Sequence, residues 1–428
     1  TGTETPPELR EWALARIRQL AAHEVGHTLG IGHNYYDSDA GRISVMDYPH
    51  PLVTLRPDQS FDYSQVYATG IGEWDKIAIR YGYQDFAAGA SEGDIAKALG
   101  DILEEGHRRD LFYLSNQDTD AHARVDQWSN GTNATAELKR MMEVRRVALS
   151  RFGERAIKRG EPLATIEEVL VPLYLHHRYQ VEAAVSSIGG LYYGYALRGD
   201  GRDPVRFVPA AEQKAALDAL LATLMPSELA LPAPLLKVLP PRPSGYGSTR
   251  ELFPRYTGSM FDAVSPAAAA ADLTIGFLLE APRAARVVEQ HAVDQTIPGL
   301  DTVIARLFDA TFAAPTRTAY EAEVGRAIQR VAVEHVMALA SSASMPQVRA
   351  IASHMLDRQR RRLVAAAPAN ISQAAHASLL AADIKRFLER PAPPAQPMTA
   401  PDAPPGAPIG EPAMEWLRRL EPPCSWWW

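Results

Sequence analysis

One run of eleven residues near the start of the chain, His23-Glu24-Val25-Gly26-His27-Thr28-Leu29-Gly30-Ile31-Gly32-His33, restricts the fold more than any other stretch. On a helix, His23 and His27 stand one turn apart on the same face, so both rings can reach a single metal ion. Glu24 lies too close in sequence to be a third ligand from that face, but it is placed to take a proton from a water at the metal. Gly30 comes where a helix needs a residue tolerant of positive φ in order to stop. The chain then turns back, so His33 can supply a third nitrogen and leave a fourth position open, which separates a catalytic zinc site from a structural one. The spacing therefore predicts zinc held by His23, His27 and His33, with Glu24 as general base. The bland alternative is a helix with coincidental histidines, which five fixed positions weigh against. Affinity alone would admit copper or nickel, but a three-imidazole open site suits zinc.

These residues resemble the signature of the metzincin metallopeptidases, H-E-x-x-H-x-x-G-x-x-H followed by a Met-turn. Ser44-Val45-Met46-Asp47-Tyr48 resembles that turn. The resemblance implies Met46 as an apolar floor beneath the zinc and not a ligand. It also implies Tyr48 as a residue near the metal that hydrogen-bonds the oxyanion of the reaction; a buried turn tyrosine is the plainer alternative. Tyr48-Pro49-His50-Pro51 would, by the same resemblance, wall the pocket for the residue after the scissile bond, with His50 itself read as exposed loop. Ile71 to Gly82 is predicted helical and resembles the closing helix of such catalytic domains, which would end near residue 90.

Length and composition fit this reading without adding to it. The 428 residues suffice for two or three domains. Hydrophobic content of 46% and charged content of 22% are ordinary for a globular chain. No apolar run reaches the length of a membrane span. The net charge of −7 and the dispersed basic residues give no ground for a nucleic-acid partner. Cys424 is the single cysteine, so no internal disulfide can form. The sequence starts at Thr1 without a charged-then-apolar leader, so any signal peptide would have been removed or lie outside it, and location is not legible directly.

Helical spacing runs from Glu8 to Leu29 and places the histidine motif on the last two turns. Only seven residues precede this helix, whereas the resemblance implies a twisted sheet before it. The expectation is that the chain is the C-terminal part of a longer protein and that an upstream domain is a partner. Beyond residue 90 the pattern is mainly helical. Thr165-Ile166-Glu167-Glu168 has capping-box spacing and opens a helix towards Gly189, interrupted near Pro172. His177 falls on its apolar face and reads as a core histidine, with His176 pointing elsewhere. Leu191 to Leu197 and Val205 to Val208 read as a short hairpin around Arg198-Gly199-Asp200-Gly201, where turn chemistry outweighs an adhesion motif. Further helices are predicted at 210–225, 266–280, 282–294, 300–312, 317–341, 346–366 and 371–389. The basic cluster at Arg358 to Arg362 reads as a solvated helix end.

The expected architecture is mainly α (α+β). It comprises a metzincin-like zinc-binding region at 1–90 without its N-terminal sheet, a helical domain with a small β-hairpin at 91–390, a Pro/Ala-rich linker at 391–412 and a Trp-rich tail at 413–428. The motif together with its long helical sequel resembles a bacterial family of large, mostly exported zinc-dependent metallopeptidases with flanking domains of unknown function. His176-His177-Arg178-Tyr179-Gln180 and Tyr195-Ala196-Leu197-Arg198-Gly199-Asp200-Gly201 add to that resemblance, which implies a periplasmic or secreted location. The functional expectation is a zinc-dependent endopeptidase acting on peptide or protein substrates through a zinc-bound water. Two alternatives stand beside it, a non-catalytic zinc-containing binding module and a helical interaction module.

Overall fold

The computed structural model describes residues 7–128, 130–248 and 250–390. The predicted linker and Trp-rich tail lie outside the described residues.

Helix α1 (Pro7–Thr28) starts with Pro7 at its first position, where a missing N–H costs nothing. It is followed by a long irregular segment broken only by the two-residue strands β1 (Thr54–Leu55) and β2 (Phe61–Asp62), paired antiparallel. Helix α2 (Glu73–Tyr83) covers the predicted closing helix. In α3 (Glu92–Arg108), Ser91 and Asp94 form a reciprocal capping box. Asn133 caps α4 (Ala134–Ser150) by accepting from Ala136 N–H.

The helix expected towards Gly189 is two helices, α5 (Ile166–Tyr174) and α6 (Arg178–Val185), separated after Pro172. The capping box predicted at Thr165 does not form. A 3-10 turn over Leu163–Thr165 has already put Thr165 in helical backbone, so its hydroxyl donates to Pro162 O at 2.8 Å instead. Glu168, the other half of that box, pairs with Arg242 at 2.8 Å. The predicted hairpin is present as β3 (Leu191–Tyr193) and β4 (Val205–Phe207), with Tyr192 opposite Arg206.

Then come α7 (Ala210–Ala222), two single turns α8 (Pro226–Leu229) and α9 (Ala233–Leu236), and six longer helices. These are α10 (Ser265–Leu278), α11 (Ala281–Val293), α12 (Leu300–Phe312), α13 (Ala319–Ser342), α14 (Pro346–Ala365) and α15 (Ile371–Leu388). Prolines open α10, α11 and α14, while Thr318 and Asn370 cap α13 and α15. The long α13 packs on α10, α12 and α14. The predicted basic cluster is tied down: Arg360 and Arg361 pair with Asp357, and Arg362 with Asp309.

The fold is thus mainly α, and its largest apolar core lies within α4 to α15. A second core sits beneath the histidine motif and joins Tyr35, Val45, Met46 and Trp74 to Ile102 and Leu114. A third, smaller cluster packs Trp12 and Phe61 against Met141 and Val144 of α4, fixing the front half of α1. Only Gln19, His23 and Gly26 of α1 are buried, and Ile17 remains 61% exposed. No helix among the described residues is long and apolar enough to cross a membrane.

Candidate metal centre

The end of α1 is built by its glycines. Gly30 has φ +78°, its N–H bonds His27 O at 3.0 Å, and Ile31 N–H reaches back to Gly26 O at 3.1 Å. This is a Schellman stop, the role anticipated for Gly30. The reversed chain then carries His33 over the last helical turn.

His23, His27 and His33 converge, each offering a ring nitrogen within 4.8 Å of the others. His27 Nε2 lies 3.1 Å from His23 Nε2 and 3.2 Å from His33 Nε2. The second nitrogens fix the tautomers of two of these rings. His23 Nδ1 donates to Val45 O at 2.8 Å and His27 Nδ1 to Ile31 O at 3.0 Å. With hydrogen on Nδ1, both Nε2 atoms present lone pairs towards each other, an arrangement that a cation held between them would stabilise. Three nitrogens about 2.0–2.1 Å from one ion in tetrahedral directions would stand about 3.3 Å apart, close to what is found. The residues therefore fit the metal that the spacing predicted. His33 is also held below the usual histidine pKa, by burial first and then by the two other imidazoles, with Glu24 opposing. Glu24 itself is exposed on the open side of the helix.

The turn at 44–48 is locked beneath this cluster. Met46 is 1% exposed, and a Cβ at Gly26 would stand 2.2 Å from its sulfur, so the helix admits the methionine only because residue 26 has no side chain. The buried Asp75 on α2 holds the turn from below. It accepts from Ser44 Oγ at 2.6 Å, Val45 N at 2.9 Å and Gly72 N at 2.6 Å. The Val45 backbone thus donates its N–H to Asp75 and accepts from His23 at its C=O. Gly72 is required for the approach of α2, since a Cβ there would overlap Ile43 O at 1.8 Å.

Tyr48 reaches the cluster, its hydroxyl 2.7 Å from His33 Nε2. Tyr35 stacks on the His33 ring at 5.4 Å, and burial is the first reason its hydroxyl is kept protonated beyond the ordinary tyrosine range. His50 departs from the exposed loop expected of it. It is 5% exposed, packed 4.6 Å from the His176 ring and 5.1 Å from Tyr179, and burial pushes its pKa down to about 3. A polar residue between two prolines gave no sign that α6 would cover it. His177 is buried as read, but neither of its ring nitrogens has a hydrogen-bond partner.

The structure brings the rings of His23, His27 and His33 together with the Tyr48 hydroxyl, sets Met46 against Gly26 of the same helix and turns the chain at Gly30, while Glu24 is exposed. The spacing did not reveal Gly26, Gly72 and Asp75, whose purpose is close approach across 20 to 31 positions of chain. A family model described as Met-zincin matches residues 5–319. The chain belongs to the Met-zincin family. No curated protein and no solved structure matches it. As a Met-zincin it is metallopeptidase-like at the level of the family, and zinc is the metal the family implies for the three-histidine cluster.

Proposed function

We propose that this Met-zincin is a zinc-dependent endopeptidase in which His23, His27 and His33 hold the metal, Glu24 is the general base and Tyr48 the oxyanion donor. The observation that carries the reading is the convergence of three Nε2 atoms, two of them fixed as lone-pair donors by backbone carbonyls, with a carboxylate exposed beside them. Zinc, when bound, supplies Lewis acidity that polarises a carbonyl oxygen and makes water easier to deprotonate. Glu24 takes the proton from the attacking water and passes it to the amine nitrogen as the peptide bond breaks. The Tyr48 hydroxyl, 2.7 Å from His33 Nε2, is the donor assigned to the oxyanion of the tetrahedral intermediate. His23 and His27 keep their orientation throughout because Val45 O and Ile31 O hold their Nδ1 hydrogens.

The reading takes polypeptides as substrates, and the resemblance of the motif and its helical sequel to a mostly exported family supports a periplasmic or secreted location. The test is metal content and hydrolysis of an unfolded protein by the wild type and by Glu24→Gln. The variant should keep about one zinc per chain and lose about 10²–10⁴-fold in kcat. Zinc bound with both proteins equally inert would overturn the reading in favour of the non-catalytic module, and equal hydrolysis by both, or a wild type that binds no zinc, would overturn the mechanism itself.

A further inference from the structure

Beyond Tyr48 the wall beside the metal centre is supplied by residues far along the chain from the histidine motif, beginning with Trp128. The Trp128 ring stands 6.4 Å from that of Tyr48, and Tyr179 of α6 lies 4.5 Å from Trp128 on its other side. Trp128 Nε1 donates to Glu182 Oε2 at 3.0 Å. Tyr179 is itself backed by the buried His50 at 5.1 Å, so the wall is continuous with the segment that follows the Met-turn. Trp128, Tyr179 and Glu182 are all partly exposed.

Glu182 is the unusual member. One of its oxygens receives the indole, and among the described residues it forms no ion pair. The arginines near it are otherwise committed. Arg283 is bound to Glu280 at 3.0 Å and Asp120 at 3.9 Å, and Arg178, lying over the Tyr179 ring, pairs with Glu251 at 3.1 Å. Burial holds the Glu182 carboxyl above the ordinary glutamate range, so an approaching cation would stabilise its charged form. A carboxylate bound to the indole that neighbours Tyr48 suits a long side chain with a cationic end and not a short or acidic one.

We propose that Trp128 and Glu182 make the site select polypeptides carrying arginine or lysine next to the scissile bond, on the side of the cleft bounded by Tyr48. The inference rests on the peptidase reading for its biological meaning, but its test separates the two. Quenched peptides are compared that differ only in having arginine or norleucine at one of the two positions flanking the scissile bond, with zinc-loaded wild type and Glu182→Gln. In parallel, binding of the same peptides is followed by fluorescence anisotropy on Glu24→Gln and on Glu24→Gln/Glu182→Gln. At one position the arginine peptide should be preferred by about tenfold or more, in cleavage and in binding. Glu182→Gln should reduce that ratio below about threefold, and Glu182→Arg should turn it towards a glutamate peptide. Near-UV circular dichroism verifies that each variant is folded. No arginine preference at either position, an unchanged ratio in folded Glu182→Gln, or failure of both peptides to bind overturns the inference. If no peptide is cut but arginine-dependent binding is present and requires Glu182, the selection stands and the peptidase reading falls.

Discussion

The helical body and the metal region are held together by different means. From α4 to α15, apolar faces recur at helical spacing and close over a large core in which Leu217, Leu220, Ile304 and Val336 have no exposed surface. Between Leu29 and Gly72 only two two-residue strands are regular. That segment is held by polar groups meeting backbone, such as Asp75 on Val45 and Asn34 on Leu114 and Phe112, and by glycines that permit contact. Burial of area is forgiving of detail. A bond to one particular peptide is not, so the same small change should act on stability in the body and on the site in the metal region.

Acidification should strain both regions at once and gives the largest expected effect. His50 and His122 are buried and His176 half-buried, their pKa values brought down to about 3, 4 and 4 chiefly by desolvation. A folded pKa below the unfolded value of about 6.5 leaves stability intact above that pH and removes it as pH falls from 6.5 towards 4, by at most about 3 kcal/mol per group at pH 4. Asp126 works in the opposite sense. Burial raises it to about 7, so its penalty grows as pH rises from about 4 to 7. Asp47, Asp75 and Glu182 are raised by burial as well, but His107, His177 and His376 are lowered beside the three histidines named, so the histidines outnumber the carboxylates and denaturant melts should show a net loss of several kcal/mol between pH 6.5 and 4. A flat profile would mean that water reaches these rings.

Leu220→Ala in the body should cost about 2–5 kcal/mol in chemical denaturation while zinc affinity below the transition stays as it was. Gly26→Ala should do the reverse in kind. Crowding of Met46 should cost about 1–3 kcal/mol and also weaken zinc binding, measured by competition with a chelator, because Met46 lies beneath the ligand helix. If Gly26→Ala leaves zinc affinity untouched, the floor does not position the ligands. The smallest effect is expected from Asn370→Ala at the cap of α15, about 1 kcal/mol in the melt with no change at the site.

The same contrast explains what was legible in the sequence. Helices α10 to α15 could be bounded to within a few residues because prolines, glycines and caps mark the ends of periodic apolar runs. The histidines were legible because all three of them, the proposed base Glu24 and the stop glycine lie within one stretch of eleven residues. Tyr48 was found through its neighbour Met46. The rest of the site was not legible. Asp75 reaches Val45 across 30 positions, and His50 is buried by α6. Such partners are chosen by tertiary proximity, which local spacing does not encode. Thr165 shows the converse, a correct local pattern overridden by the turn before it.

The contact between Gly26 and Met46 also bears on chemical ageing. A thioether at 1% exposure, pressed against a helix backbone, is out of reach of peroxide, whereas Met260 is 53% exposed. Mild oxidant should convert the surface methionine to its sulfoxide while the one under the histidines survives. Once formed, the added oxygen at Met46 would find no space against residue 26. Sulfoxide at that position would then be a chemical record that the molecule had opened, and a reason for it not to close again.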